Sequence, residues 1–130
     1  MTRTFIDSSV LIAAAIASKE LHEEAMAILD DPNRSFVSSD FVKLETLPKA
    51  VFHRNEDEAE FYRMFFDAAE FVGVSPKVVD MAYEEACAHN INARDALHVA
   101  AAAIGGADEL VTGEKPEKPI CQTQRVKVVS

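Results

Sequence analysis

Four acids carry the chemistry that this sequence suggests: Asp7 in FIDSSVL, Glu45 in SSDFVKLE, Asp95 in NARDALHVAAA and Glu114 in LVTGEKP. Asp7 closes the apolar stretch of Phe5 and Ile6, and two small hydroxyl residues separate it from the next apolar run. Asp is disfavoured inside strands, so its place at that junction asks for a reason. Two carboxylates ~6 Å apart repel by roughly 3 kcal/mol at an effective dielectric of 20. Four in one cleft would not all stay ionised without a cation. The remedy is a hard divalent ion, Mg²⁺ or Mn²⁺, which takes oxygen ligands and keeps several waters. Held by few protein ligands, such an ion grips a phosphate oxygen and lowers the pKa of a bound water. The chemistry implied is metal-assisted phosphodiester hydrolysis.

The elements that must position these acids can be read along the chain. Residues 3–7 form a strand and 9–17 a short helix. The spacing of Leu21, Ala25, Ile28 and Leu29 predicts an amphipathic helix over 19–29. A turn at Asp31, Pro32 and Asn33 precedes a strand at 35–38. A helix over 40–52 follows, with Ser39 as its N-cap and Pro48 expected to kink or break it. Residues 56–70 form an acidic helix whose core face is Phe61, Phe65 and Ala68. A strand at 71–74 leads to a helix that starts at Ser75-Pro76 and runs to about His89. Asn92 opens a further helix, ended by Gly105-Gly106. Strands follow at 109–112 and 125–129, with a Lys/Pro-rich loop between them.

Strands alternating with helices predict one α/β domain over residues 1–130. Its central sheet would be mostly parallel, of four to five strands, with helices on both faces. In such a sheet the loops beyond the carboxyl ends of the strands form the ligand crevice. Asp7 ends the first strand and Glu114 follows the fourth. Glu45 lies in the helix after the second strand, and Asp95 in the first turn of the helix before the fourth. The four could therefore converge.

Composition bounds the rest. The chain has 130 residues, is 48% hydrophobic and carries a net charge of −9. It can bury a core, and the charge disfavours a simple nucleic-acid coat, which needs a basic stripe. There is no basic, apolar leader and no apolar run of membrane-spanning length, so a soluble, cytoplasmic protein is expected. Cys87 and Cys121 have neither C-x-x-C nor ligand spacing and read as reduced thiols in or near the core.

Each acid also has a plain structural reading. Asp7 could N-cap the helix after it. Asp95 could be the N3 acid of a capping box begun by Asn92. Glu45 could pair with Lys49 one turn on, and Glu114 could be a loop charge. His98 could orient Asp95, but the favoured reading is a satisfied core histidine. His22 beside Glu23 and Glu24 reads as a solvated face, since adjacent helical residues do not face one another.

The order and spacing of FIDSSVL, SSDFVKLE, NARDALHVAAA and LVTGEKP resemble the PIN domain family, over essentially the whole chain. Within that family they resemble the short VapC-like toxins of bacterial toxin–antitoxin pairs. The resemblance implies a parallel-sheet α/β fold, one or two Mg²⁺ or Mn²⁺ ions and ribonuclease activity. It assigns catalytic and metal-binding roles to Asp7, Glu45, Asp95 and Glu114, and supporting roles to Ser9 and Thr112. The last acid is a departure, because many relatives carry Asp where this chain has Glu114. The resemblance also implies a small antitoxin partner and a homodimer. Lys43, Lys49, Arg54 and Arg94 could hold RNA phosphates around the same edge, or be ordinary surface charge. A catalytically weak PIN-like RNA-binding or assembly protein is the alternative on the same residues. A phosphoacceptor receiver is disfavoured, because the third strand, FVGVS, lacks an acceptor Asp.

Overall fold

The computed structural model describes residues 1–130. In chain order it comprises β1 (Thr2–Ile6), α1 (Ser8–Ile16), α2 (Lys19–Leu29), β2 (Arg34–Ser39), α3 (Asp40–Phe52), α4 (Glu56–Ala68), β3 (Glu70–Val72), α5 (Pro76–His89), α6 (Ala93–Ile104), β4 (Glu109–Val111) and β5 (Lys127–Val129). A single 3-10 turn, Pro119–Gln122, precedes β5. The sheet has five strands in the order β3-β2-β1-β4-β5, and every neighbouring pair is parallel.

Register shows which helices cover which face. Thr4 pairs with Phe36 and Phe5 with Val37, and successive strand residues point to opposite faces. Phe36 packs on Phe65 of α4, whereas Phe5 packs on His98 of α6. Helices α4 and α6 thus lie on opposite faces. The sheet's main core includes Phe5, Ile6, Leu11, Val37, Tyr62, Val99 and Leu110. A smaller cluster of Val78, Ala82, Ile91, Ala96 and Ala100 joins α5 to α6. Gly105 lets the end of α6 close onto the sheet, since a Cβ there would sit 2.7 Å from Val72 and 2.8 Å from Val37.

The structure narrows one expectation and corrects three others. Pro48 does not break α3, which runs unbroken to Phe52. Pro48 and Leu44, four residues before it, are both exposed, so the carbonyl left without its N–H partner lies on the solvent side. On α4 the buried residues are Ala59, Tyr62 and Phe66; Phe61 and Phe65 flank them half-buried, and Ala68 is exposed. The last strand is only Lys127–Val129, because Arg125 turns aside to bind Glu85 at 3.0 Å and Glu84 at 2.6 Å. Cys87 is exposed rather than near the core, and both cysteines are free thiols.

The chain adds β2 and β3 on one side of β1, then returns to add β4 and β5 on the other. The order reverses between β1 and β4, and a crevice opens at the carboxyl ends of those two strands. Asp7 follows β1 directly and Thr112 follows β4 directly.

Candidate active site

Asp7 is 3% exposed, and both its oxygens are held. Oδ1 accepts the Ser9 hydroxyl at 2.6 Å and the Val10 N–H at 3.2 Å. Oδ2 accepts the Thr112 hydroxyl at 2.5 Å. Each hydroxyl is oriented in turn by the loop after β4: Ser9 accepts the Gly113 N–H at 3.1 Å and Thr112 accepts the Glu114 N–H at 3.1 Å. Asp7 is therefore the N-cap of α1 and a wall of the crevice at once. The close passage of the loop needs Gly113, where a Cβ would meet Ser9 Oγ at 3.0 Å.

Asp95 is likewise both a helix-start acid and a cleft residue. Its N–H donates to Asn92 Oδ1 at 2.8 Å, and Asn92 Nδ2 donates back to its carboxylate at 3.1 Å. Burial pushes its carboxyl above the usual range; His98 and Arg94 oppose that rise, and the charges of Asp7 and Glu114 add to it. The acids from three distant segments thus feel one another.

Glu45 is placed by α3 against α1 and α6. Its Oε1 accepts from Ser8 Oγ at 2.9 Å and lies 2.7 Å from His98 Nε2, and its Oε2 lies 3.3 Å from Arg94 Nε. Burial raises its carboxyl, but the His98 and Ser8 hydrogen bonds and the Arg94 charge outweigh that and hold it below the usual range. The alternative pairing of Glu45 with Lys49 does not form; its ion pairs are with His98 and Arg94. Ser8 turns to Glu45, not to Asp7. His98 is buried, as a core histidine would be, yet it engages Glu45 rather than Asp95. Its Nδ1 has no partner.

These side chains line one cleft of about 350 Å³, made by Asp7, Ser8, Ser9, Glu45, Lys49, Arg94, Asp95, His98 and Glu114 with Ile12 and Leu44. All four sequence-derived acids are there. Of the basic residues, Lys49 and Arg94 reach it; Lys43 lines a separate apolar trough, and Arg54 lies outside, at the end of α3. His22 is exposed and its Nδ1 lies 2.8 Å from the Ala14 carbonyl, outside the site. No three acidic or histidine side chains already stand in ligating geometry. The donors facing the cleft are nonetheless carboxylate oxygens, and burial, with the charges of Asp7 and Glu114 adding to it, raises the Asp95 carboxyl. A hard divalent cation suits that set.

The profile of the PIN domain matches residues 4–115. The chain belongs to the PIN domain family. In structure this PIN domain is similar to a Rickettsia felis VapBC pair bound to promoter DNA, at TM-score 0.73 and 15% identity over 98% of each chain. It is similar to a Klebsiella pneumoniae toxin–antitoxin complex at TM-score 0.73 and 18% identity, over 98% of this chain and 96% of that one. A Mycobacterium tuberculosis VapC toxin, described as cleaving the sarcin–ricin loop, matches at TM-score 0.71 and 16% identity, over 95% of this chain and 98% of that one. At such identities the likeness is one of fold, and that fold is VapC-like. Comparison with curated protein sequences returns no match. No helix of this PIN domain is long and apolar enough to cross a membrane.

Proposed function

We propose that this PIN domain is a divalent-cation-dependent endoribonuclease, the toxin of a toxin–antitoxin pair acting in the cytoplasm. The observation that carries the reading is the meeting of Asp7, Glu45, Asp95 and Glu114, from four separate segments, in one cleft at the strand-order reversal. Asp7 and Asp95 are the central donors for Mg²⁺ or Mn²⁺, and Glu45 and Glu114 complete the acidic set. When bound, the cation supplies positive charge to the scissile phosphate and makes water a better nucleophile.

The protein's own residues do the remaining work. Ser9 and Thr112 fix both oxygens of Asp7, so that it need not reorganise on binding. Arg94 and Lys49 offer cations to RNA phosphates at an otherwise acidic mouth. Ile12 and Leu44 give the cleft apolar walls that strengthen its electrostatics. A small antitoxin protein would restrain the activity, consistent with complexes among the structural neighbours. A homodimer would cover the apolar face of α3, where Leu44, Val51 and Phe52 are exposed.

The test is cleavage of mixed RNAs by the purified protein in Mg²⁺, Mn²⁺ or EDTA. The reading predicts cutting with either cation and none with EDTA. RNA left intact in all three contradicts it and leaves an RNA-binding or assembly protein on the same fold.

A further inference from the structure

Glu45 differs from the other acids of the cleft because its carboxylate is already committed. His98 Nε2 and Ser8 Oγ hold Oε1 at 2.7 and 2.9 Å, and Arg94 Nε faces Oε2 at 3.3 Å. His98 is 1% exposed. An ionised carboxylate only accepts, so the imidazole presents its proton at Nε2. Its Nδ1 has no partner. If a cation drew Glu45 away, His98 would keep only the Ser8 hydroxyl, 3.4 Å off. A buried ring with both nitrogens poorly satisfied is an expensive state.

Arg94 stands on the other side of Glu45. Its side chain is 62% exposed, and its other nearby acid, Asp95, is 4.0 Å away. With Nε directed at Glu45, the two terminal nitrogens remain for another anion. A guanidinium held at one edge is well suited to grip a phosphate with the other.

We propose that Glu45 serves the cleft as the anchor of Arg94, which binds an RNA phosphate, and that His98 is the positioning residue that fixes Glu45 in that role. On this assignment Glu45 is not a direct ligand of the cation. The RNA part rests on the ribonuclease reading above; the cation part does not.

Two measurements test it. In calorimetric titration of the RNA-free protein with Mn²⁺, Asp95→Asn weakens binding by about tenfold or more, whereas Glu45→Gln and His98→Leu stay within about threefold of wild type. In steady-state RNA cleavage, Arg94→Ala and His98→Leu raise KM by about fivefold to tenfold with kcat little changed, the pattern of lost uniform binding. His98→Gln, whose amide N–H can still reach Glu45, restores most of the KM. It also serves as the second variant should His98→Leu fold poorly.

If Glu45→Gln loses Mn²⁺ as Asp95→Asn does, Glu45 is a direct ligand and the assignment is overturned while the nuclease stands. A His98→Leu enzyme with wild-type KM overturns the positioning role. Absence of cleavage by the wild type overturns the ribonuclease reading, and the Arg94 role falls with it.

Discussion

Asp7 and Glu114 are joined through one hydroxyl: Thr112 Oγ1 donates to Asp7 Oδ2 at 2.5 Å and accepts the Glu114 N–H at 3.1 Å. The two residues are far apart in the chain and come from strands on either side of the order reversal. The hydroxyl makes the position of one acid depend on the loop that carries the other.

That link predicts the behaviour of Thr112→Val, which keeps the shape and removes the hydroxyl. Asp7 Oδ2 loses its donor and the Glu114 N–H loses its acceptor. Groups that orient a cation ligand are worth about 10–100-fold in affinity or activity. Calorimetry with Mn²⁺ and RNA cleavage should both fall in that range. Wild-type values in both would show that Asp7 is held by the core alone.

Asp95 predicts a conflict between stability and function. Its folded carboxyl is raised above its ordinary value of 3.8, so the folded protein binds its proton more tightly than the unfolded chain does. Stability from this group therefore declines as pH rises through the window above 3.8. Asp95→Asn should melt at a higher temperature than wild type at pH 7 in EDTA, with the advantage gone below about pH 4. Thermal melts across pH check the sign; a destabilised Asn variant at pH 7 would contradict it.

Glu85 predicts the opposite slope at a place far from the cleft. Burial raises its carboxyl, but the hydrogen bonds from Thr123 and Arg125 outweigh burial and lower it from 4.5. Stability from this group is present above 4.5 and is lost as pH falls through the lowered value. Glu85→Gln should cost about 1.5–3 kcal/mol at neutral pH, and less in acid. It should loosen the segment between the 3-10 turn and β5, seen as faster amide exchange there. Equal stability of the two proteins at pH 7 would show that the Glu85–Arg125 contact contributes nothing net.

The apolar face of α3 predicts an assembly change. Phe52 is 80% exposed and lines an open trough with Leu44, Leu47, Val51 and Val74. If a second copy covers it, Phe52→Glu should convert a dimer to a monomer in sedimentation, with the thermal stability of the monomer unaffected. A wild type that sediments as a monomer at all concentrations would contradict the homodimer.

Much of the fold could be read from local signals. The bounds of α3 and α5 match the expected ones because each has a strong start: Ser39 Oγ accepts the Val42 N–H, and Ser75, just ahead of Pro76, accepts the Val78 N–H. Asp7 and Asp95 were readable as cleft residues because a strand end and a helix start fix where an acid points. The His98–Glu45 contact was not readable. It joins α3 to α6, and only the packing of those two helices brings the two side chains to 2.7 Å. The sequence places Arg94 beside Asp95, yet the structure turns it closer to Glu45. Phe61 and Phe65 misled because aromatic spacing marks a helix face without saying which edge of it is deepest. The short β5 escaped because a long-range ion pair at Arg125 overrides an alternating pattern.

The most direct test of the central claim is cleavage of one RNA pool by wild type, Asp7→Asn and Asp95→Asn side by side, each in Mn²⁺ and in EDTA. The account predicts cutting by the wild type in Mn²⁺ alone and none by either variant, with all three proteins folded. Cutting that survives in both variants, or that persists in EDTA, would contradict the assignment of the cleft as the place where the phosphodiester is broken.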